Sequence, residues 1–365
     1  MENIEVRGAP QYYLCAEGSF TQLEKLLLAR KIESVLIIHG DKSLKAAQTF
    51  LPSFQQVQAT FEKYQGEVTL EEIDRIAQLA KEKRVDAIIG IGGGKILDIV
   101  KASGHDSNLH VILLPTLAST CAAWTPLSVI YKPSGEFTHY TIYPRSTAVV
   151  LIEPRIILQS PIEYFIAGIA DTLAKWYEAD VIVEQLENVP LVVELAHHAA
   201  KLCRDNLIQL GNKAVKDMKR QELSLEFIKV LETNIAAGGM VGGFGDQYGR
   251  IAGAHAIHNG LTSIEETHHL LHGHKVAYGI LVQLLLENKQ KEVQNLLQFY
   301  DQLQLPSSLK AMGISYHDQE TLTKIAADAT LPNESIHLLP GEITINKVVD
   351  AMMDLEKLES HSRVG

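Results

Sequence analysis

The chain has 365 residues, 46% of them hydrophobic and 21% charged, with a formal net charge of −11. That length suits about two domains, and that composition can bury a sizeable core. No Lys/Arg run interleaved with aromatics occurs, which argues against nucleic acid as a partner, and no apolar run approaches the roughly 20 residues that cross a bilayer.

Three isolated cysteines, Cys15, Cys121 and Cys203, form no closely spaced pair and fit a reducing compartment. The opening MENIEVRGAPQYYL has no basic segment followed by an apolar one, so no secretory signal and a cytoplasmic location are expected. In chain order, 33–40 (ESVLIIHG) is expected as a buried strand, with a helix from Asp41 to about Phe50. A second strand is expected at 56–63. Thr69 followed by Glu72 is a capping box that opens a helix to about Arg84. Asp86–Ile91 is the next strand, followed by Gly92-Gly93-Gly94-Lys95 and a helix through Ala102. A strand at 110–114 stops at Pro115. Residues 127–131 and 137–143 form a hairpin around Pro133-Ser134-Gly135, and 147–152 is again a central strand. Beyond Pro161 the periodicity is helical: 162–184, 190–211, 221–241, 246–260 and 270–289, then 291–303, 306–312, 317–328 and 344–359. The expectation is an α/β domain with a parallel sheet over 1–160 and an all-helical domain over 161–365, with a ligand between them.

The Gly92–Lys95 turn joins a strand to a helix. Glycines allow close approach of a ligand, and a helix N-terminus offers unpaired amides, so this is a phosphate cradle; a tight turn without a ligand is the alternative. Asp98 lies one turn further on. The next strand end, Pro115-Thr116-Leu117-Ala118-Ser119-Thr120, adds hydroxyls beside it, where open α/β sheets bind ligands. Asp41 ends the first strand. It would accept from a ribose 2′-hydroxyl and repel a 2′-phosphate, or cap its helix, or both.

Six of the chain's 15 histidines fall between His255 and His274. Asp171 sits among small apolar residues in AGIADTLAKWYEA, and a buried carboxylate there needs a partner. His255 and His272, on separate helices, can converge with it into a site of one carboxylate and two imidazoles, suited to Zn2+ or Fe2+. His258, one turn after His255, is a proton relay or a packed neighbour. His268, His269 and His274 are read as structural or solvent-facing.

Five separated motifs now stand in order: GIGGGKILD (90–98), PTLASTCA (115–122), AGIADTLAKWYEA (167–179), AHAIHNGLT (254–262) and HHLLHGHKVAYGILVQL (268–284). Together they resemble the glycerol-dehydrogenase branch of the metal-dependent, iron-containing alcohol dehydrogenases, over nearly the whole chain. CAAWTPLSVIY (121–131), GGMVGGFGD (238–246) and the NESIHLLP run (333–340) bring the resemblance closer to the hydroxycarboxylate dehydrogenases of that branch. The resemblance implies a dehydroquinate-synthase-like or glycerol-dehydrogenase-like fold, one divalent metal on Asp171, His255 and His272, and a homo-oligomer. It also implies dinucleotide contacts at Asp41, Gly93, Gly94, Lys95, Asp98, Thr116, Ser119, Thr125, Leu127 and Tyr131.

Two departures bear on substrate. Cys121 stands where glycerol dehydrogenases carry an aspartate, removing a charge that would repel an anion. Lys175, four residues after Asp171, stands where four-ligand relatives place a third histidine. It is a candidate anchor for a substrate carboxylate, or else a partner of Asp171 or Glu178. The expected activity interconverts small 2-oxo and 2-hydroxy acids, with NAD(H) favoured over NADP(H) by Asp41. Rivals are glycerol dehydrogenase, a dehydroquinate-synthase-like lyase and a non-catalytic nucleotide-binding protein. The lyase needs a Lys/Arg phosphate cluster, which is missing between 171 and 275.

Overall fold

A computed structural model describes residues 4–362. Valine and isoleucine runs set the strands. In order these are β1 (Tyr13–Cys15), β2 (Ser34–His39), β3 (Gln58–Lys63), β4 (Ala87–Gly92), β5 (His110–Pro115), β6 (Leu127–Tyr131), β7 (Phe137–Ile142) and β8 (Val149–Ile152). Six of them form a wholly parallel sheet in the order β1-β8-β5-β4-β2-β3. β4 and β8 are buried along their whole length, as expected of parallel strands covered on both faces. β6 and β7 are the antiparallel hairpin. The register aligns His39 with Lys63 and Gly92 with Pro115, so the carboxyl ends of β2, β3, β4 and β5 share one edge.

The helices between these strands are α1 (Leu23–Ala29), α2 (Asp41–Ala47), α3 (Leu70–Lys83) and α4 (Gly94–Asp106). Thr69 caps α3, its Oγ1 accepting from the Glu72 amide at 3.2 Å, but the expected capping box is only half formed, because the Glu72 carboxylate accepts from the Gln65 amide and pairs with Arg75. The chain continues through α5 (Pro154–Leu158), α6 (Ile162–Val183), α7 (Leu191–Lys219), α8 (Leu225–Glu232) and, after a π turn at Thr233–Ala237, α9 (Gly238–Gly245). Then come α10 (Gly253–Thr262), α11 (His272–Leu286), α12 (Gln290–Leu303), α13 (Gln319–Ala329) and α14 (Ile345–Ser362).

The chain packs as two compact units. One takes Arg7–Phe165 with Asp217–Met240; the other takes, of the described residues, 4–6, 166–216 and 241–362. The sheet-bearing unit thus includes a helical return that a single boundary near 160 does not provide. Phe227 stacks on Phe165 with ring centroids 5.0 Å apart, Tyr13 Oη donates to Glu232 at 2.9 Å, and Asn234 Nδ2 donates to the Ala118 carbonyl at 3.2 Å. In the helical unit, α11 packs backbone to backbone against two neighbours. A Cβ on Gly273 would lie 1.9 Å from the Ala167 carbonyl oxygen, and one on Gly279 would lie 2.2 Å from that of Ala254. This close approach of α11 to α6 and α10 brings their polar side chains together.

Elsewhere the structure departs from the periodicity. Residues 246–260 are not one helix: Asp246 takes a φ of 48°, Ala252 leaves helical geometry, and α10 starts only at Gly253. The stretch 306–312 contributes one 3-10 turn, Lys310–Met312, ended by Gly313 at a φ of 83°. β1 and α1 carry no strong sequence signal. β1 is three residues that become a strand only through their pairing with β8.

Candidate metal centre and nucleotide cradle

Three helices of the helical unit supply one cluster. Asp171 from α6, His255 from α10 and His272 at the first turn of α11 each present a ligand atom, all within 4.8 Å of one another. Asp171 Oδ1 lies 3.2 Å from His272 Nε2 and 3.4 Å from His255 Nε2. Asp171 is buried, while 40% of the His272 side chain is exposed, so the cluster opens on one side. Burial pushes the Asp171 carboxyl up, but the Lys175 charge and the two imidazoles outweigh it and hold the group well below the usual carboxylate range.

Glu178 organises His255, and its position was readable. Residues 171, 175 and 178 are spaced i, i+4, i+7 and form one stripe of α6. Glu178 Oε2 takes the His255 ring Nδ1 at 2.7 Å, and Oε1 accepts from the amides of Ala252 and His255 at 2.7 and 2.9 Å. It therefore caps the start of α10 and leaves His255 Nε2 turned to Asp171, the usual carboxylate–histidine arrangement of metal ligands. Burial and the Lys175 charge push His255 down, yet the Glu178 and Asp171 carboxylates raise it to about 9. The same network lowers Glu178 against the effect of its burial.

His258 joins the cluster, its ring edge-on to His272 at 4.2 Å between centroids. Asn259 Nδ2 donates to the Glu334 carboxylate at 3.0 and 3.3 Å. That orientation turns Asn259 Oδ1 to His258 Nδ1, 3.1 Å away, so Nδ1 carries the proton and Nε2 is a bare acceptor. Burial and the charges of His272, Lys275 and His255 hold His258 far below its usual value. Lys175 is buried, and its Nζ donates to the Arg250 carbonyl at 3.3 Å. His268 is exposed and ties to the Thr262 carbonyl at 3.0 Å, outside the cluster.

The remaining expected residues lie in the α/β unit. α4 starts at the glycine turn with no side-chain cap on its free amides. Gly94 has ordinary φ, and a Cβ there would meet only Thr120 Oγ1 at 3.6 Å and Ala122 Cβ at 3.8 Å. Neither packing nor backbone conformation requires glycine at that position, so the turn leaves room above its free amides. Thr116 donates its amide to the Gly92 carbonyl at 3.0 Å, which ties the strand-end loop to the turn. Ser119, Thr125, Leu127 and Tyr131 are half-buried along that loop and β6, and Cys121 lies in the same loop. Lys95 is exposed and pairs with Glu67 at 2.6 Å. Asp41 is exposed at the end of β2 and pairs with Lys63, at the end of β3, at 2.5 Å. Asp98 turns inward: its Oδ1 faces Lys101 Nζ at 2.8 Å and its Oδ2 accepts from the Val129 amide at 3.1 Å.

The α/β unit thus carries an uncapped glycine turn at its strand ends, and the helical unit a carboxylate–bis-imidazole cluster. The sequence model of iron-containing alcohol dehydrogenases matches residues 10–154. The chain is 39% identical to hydroxycarboxylate dehydrogenase A of Escherichia coli K12, covering 98% of this chain and 99% of that protein. It is 35% identical to the glycerol dehydrogenase of Thermotoga maritima, covering 94% of each. Its structure superposes on that of a probable glycerol dehydrogenase from Sinorhizobium meliloti 1021 with a TM-score of 0.87 at 28% identity, covering 99% of both chains. The chain belongs to the iron-containing alcohol dehydrogenase family and is a dehydrogenase acting on CH–OH groups. Among the described residues, no helix is long and apolar enough to cross a membrane.

Proposed function

We propose that this dehydrogenase interconverts small 2-oxo acids and 2-hydroxy acids, with NAD(H) held by the α/β unit and one divalent ion by Asp171, His255 and His272. The observation that carries the reading is one carboxylate and two imidazole nitrogens within 4.8 Å, with the buried Lys175 one turn along the same helix. One oxygen and two nitrogen donors suit Zn2+ or Fe2+ and leave coordination positions open. When bound, the ion polarises the substrate carbonyl as a Lewis acid and the reduced nicotinamide supplies the hydride.

The chain's own groups do the rest. Glu178 keeps His255 Nε2 turned to the ligand cluster. Lys175 binds the substrate carboxylate through a charge-assisted hydrogen bond, alongside the Arg250 carbonyl at 3.3 Å and the neighbouring Asp171 and Glu178 carboxylates that already share its charge. His258 Nε2 takes the hydroxyl proton during oxidation and returns it during reduction. Cys121 presents no negative charge to an anionic substrate. The amides at Gly93, Gly94 and Lys95 cradle the phosphates, with Thr116, Ser119, Thr125, Leu127 and Tyr131 along the same site. Asp41 accepts from the ribose hydroxyls.

Oxidation of a polyol is the second reading, favoured by the Thermotoga maritima relative named glycerol dehydrogenase. The test follows NADH and NADPH oxidation with 2-oxobutanoate, 2-oxoglutarate and dihydroxyacetone, after chelation and restoration with Zn2+ or Fe2+. Turnover of a 2-oxo acid should exceed that of dihydroxyacetone at least about tenfold in kcat/KM, because one charge-assisted contact is worth about 1.5–3 kcal/mol. The reverse order establishes the polyol reading instead.

A further inference from the structure

We infer that Lys101 is a positioning residue: a buried internal cation that fixes the strand-end loop of the dinucleotide site to the helix of the glycine turn. Lys101 is on α4 and only 3% exposed. Its Nζ donates to the carbonyls of Ala122 at 2.7 Å, Thr125 at 3.1 Å and Leu127, and pairs with Asp98 Oδ1 at 2.8 Å. Two of these carbonyls come from an irregular loop and the third from the first residue of β6, and they converge on one ammonium much as they would on a metal ion. An ammonium has three protons to give and nothing to accept: the three carbonyls take them, and Asp98 Oδ1 faces the charge as an ion pair without a hydrogen bond of its own. Two further bonds close the network: Ser128 Oγ donates to the Asp98 carbonyl at 2.7 Å, and Asp98 Oδ2 accepts from the Val129 amide.

The consequence lies at the other end of α4. The helix whose first turn forms the phosphate cradle is tied, through Lys101, to the loop that carries Ser119 and Thr125. The two halves of the nucleotide site therefore share one rigid frame. A buried charge stays in place only while it is paired, so removing the ammonium frees three carbonyls and strands a carboxylate. Asp98, expected from the sequence as a dinucleotide contact, acts on the site through Lys101 and β6. The inference rests on the proposed reading of this turn and loop as the dinucleotide site.

The experiment measures NADH dissociation constants by fluorescence titration and Zn2+ dissociation constants by chelator competition, on the full-length protein. Lys101→Met should weaken NADH at least tenfold and leave the Zn2+ affinity, set in the helical unit, within twofold. Asp98→Asn keeps the ammonium on its carbonyls and should weaken NADH less than Lys101→Met does. If Lys101→Met fails to fold, Lys101→Arg, which keeps the charge but not the fit, should weaken NADH at least threefold with Zn2+ unchanged. NADH affinity within twofold of wild type in the soluble Lys101 variant overturns the inference. So does a larger loss in Asp98→Asn, which would make that carboxylate a direct contact. A wild-type protein that binds no NADH overturns the nucleotide reading itself, and is told apart because it fails before any variant is compared.

Discussion

Replacing Glu178 by Gln changes one oxygen to an NH2 group at a side chain that is 1% exposed and receives three hydrogen bonds. Gln has a single acceptor oxygen for those donors. If that oxygen stays on the α10 amides, the new NH2 faces His255 Nδ1 and must donate to it. The imidazole proton then moves to Nε2, the nitrogen turned to Asp171, and a protonated nitrogen cannot ligate a metal. Loss of such a partner lowers metal affinity about 10–100-fold, or about 1.4–2.7 kcal/mol by the tenfold rule. If the amide flips, the two backbone donors at the start of α10 lose their acceptor, at about 1–3 kcal/mol of folding stability for a buried unsatisfied group. Chelator competition for Zn2+ and thermal unfolding in the presence of chelator separate the two routes. A Glu178→Gln protein with wild-type metal affinity and wild-type unfolding temperature would refute the positioning role.

Two further outcomes follow from the same cluster. His255 is raised to about 9 in the metal-free fold, so its contribution is fully present below about pH 6.5 and is lost as pH rises through 9. Metal-free protein should therefore lose unfolding temperature across that window, while metal should stabilise it more as pH rises, because coordination needs the neutral imidazole; a flat metal-free profile contradicts this. Gly273→Ala would put a Cβ 1.9 Å from the Ala167 carbonyl oxygen, a backbone atom that cannot rotate away. α11 must then retreat from α6 and carry His272 off Asp171, so Zn2+ affinity should fall together with stability, by about 1–3 kcal/mol or more; an unchanged unfolding temperature would contradict the packing argument.

What could be read from the sequence was what is local or periodic. The apolar runs of β2, β4, β5 and β8 announced a parallel sheet, and Thr69-x-x-Glu72 announced the start of α3. The convergence of Asp171, His255 and His272 was legible because a carboxylate among small apolar residues and imidazoles on two helices are chemically unusual. What stayed hidden depends on partners distant in sequence. Residues 217–240 join the α/β unit through Phe227 on Phe165, a contact no periodicity encodes. The orientation of His258 is set by Glu334 through Asn259, from 75 residues away. Lys101 looks like an ordinary helical lysine until three carbonyls meet it. Asp98 stands one turn into α4, but its carboxylate turns inward, to the Lys101 ammonium and the Val129 amide.

The proposed substrate class turns on Lys175, and the most direct measurement is steady-state reduction of 2-oxobutanoate and dihydroxyacetone by wild type and Lys175→Ala at saturating NADH. Loss of one charge-assisted contact of about 1.5–3 kcal/mol should raise the KM for 2-oxobutanoate at least about tenfold. The smaller change expected for dihydroxyacetone, which has no carboxylate, is under threefold. An unchanged KM for the 2-oxo acid, or an equal loss on both substrates, would contradict the account.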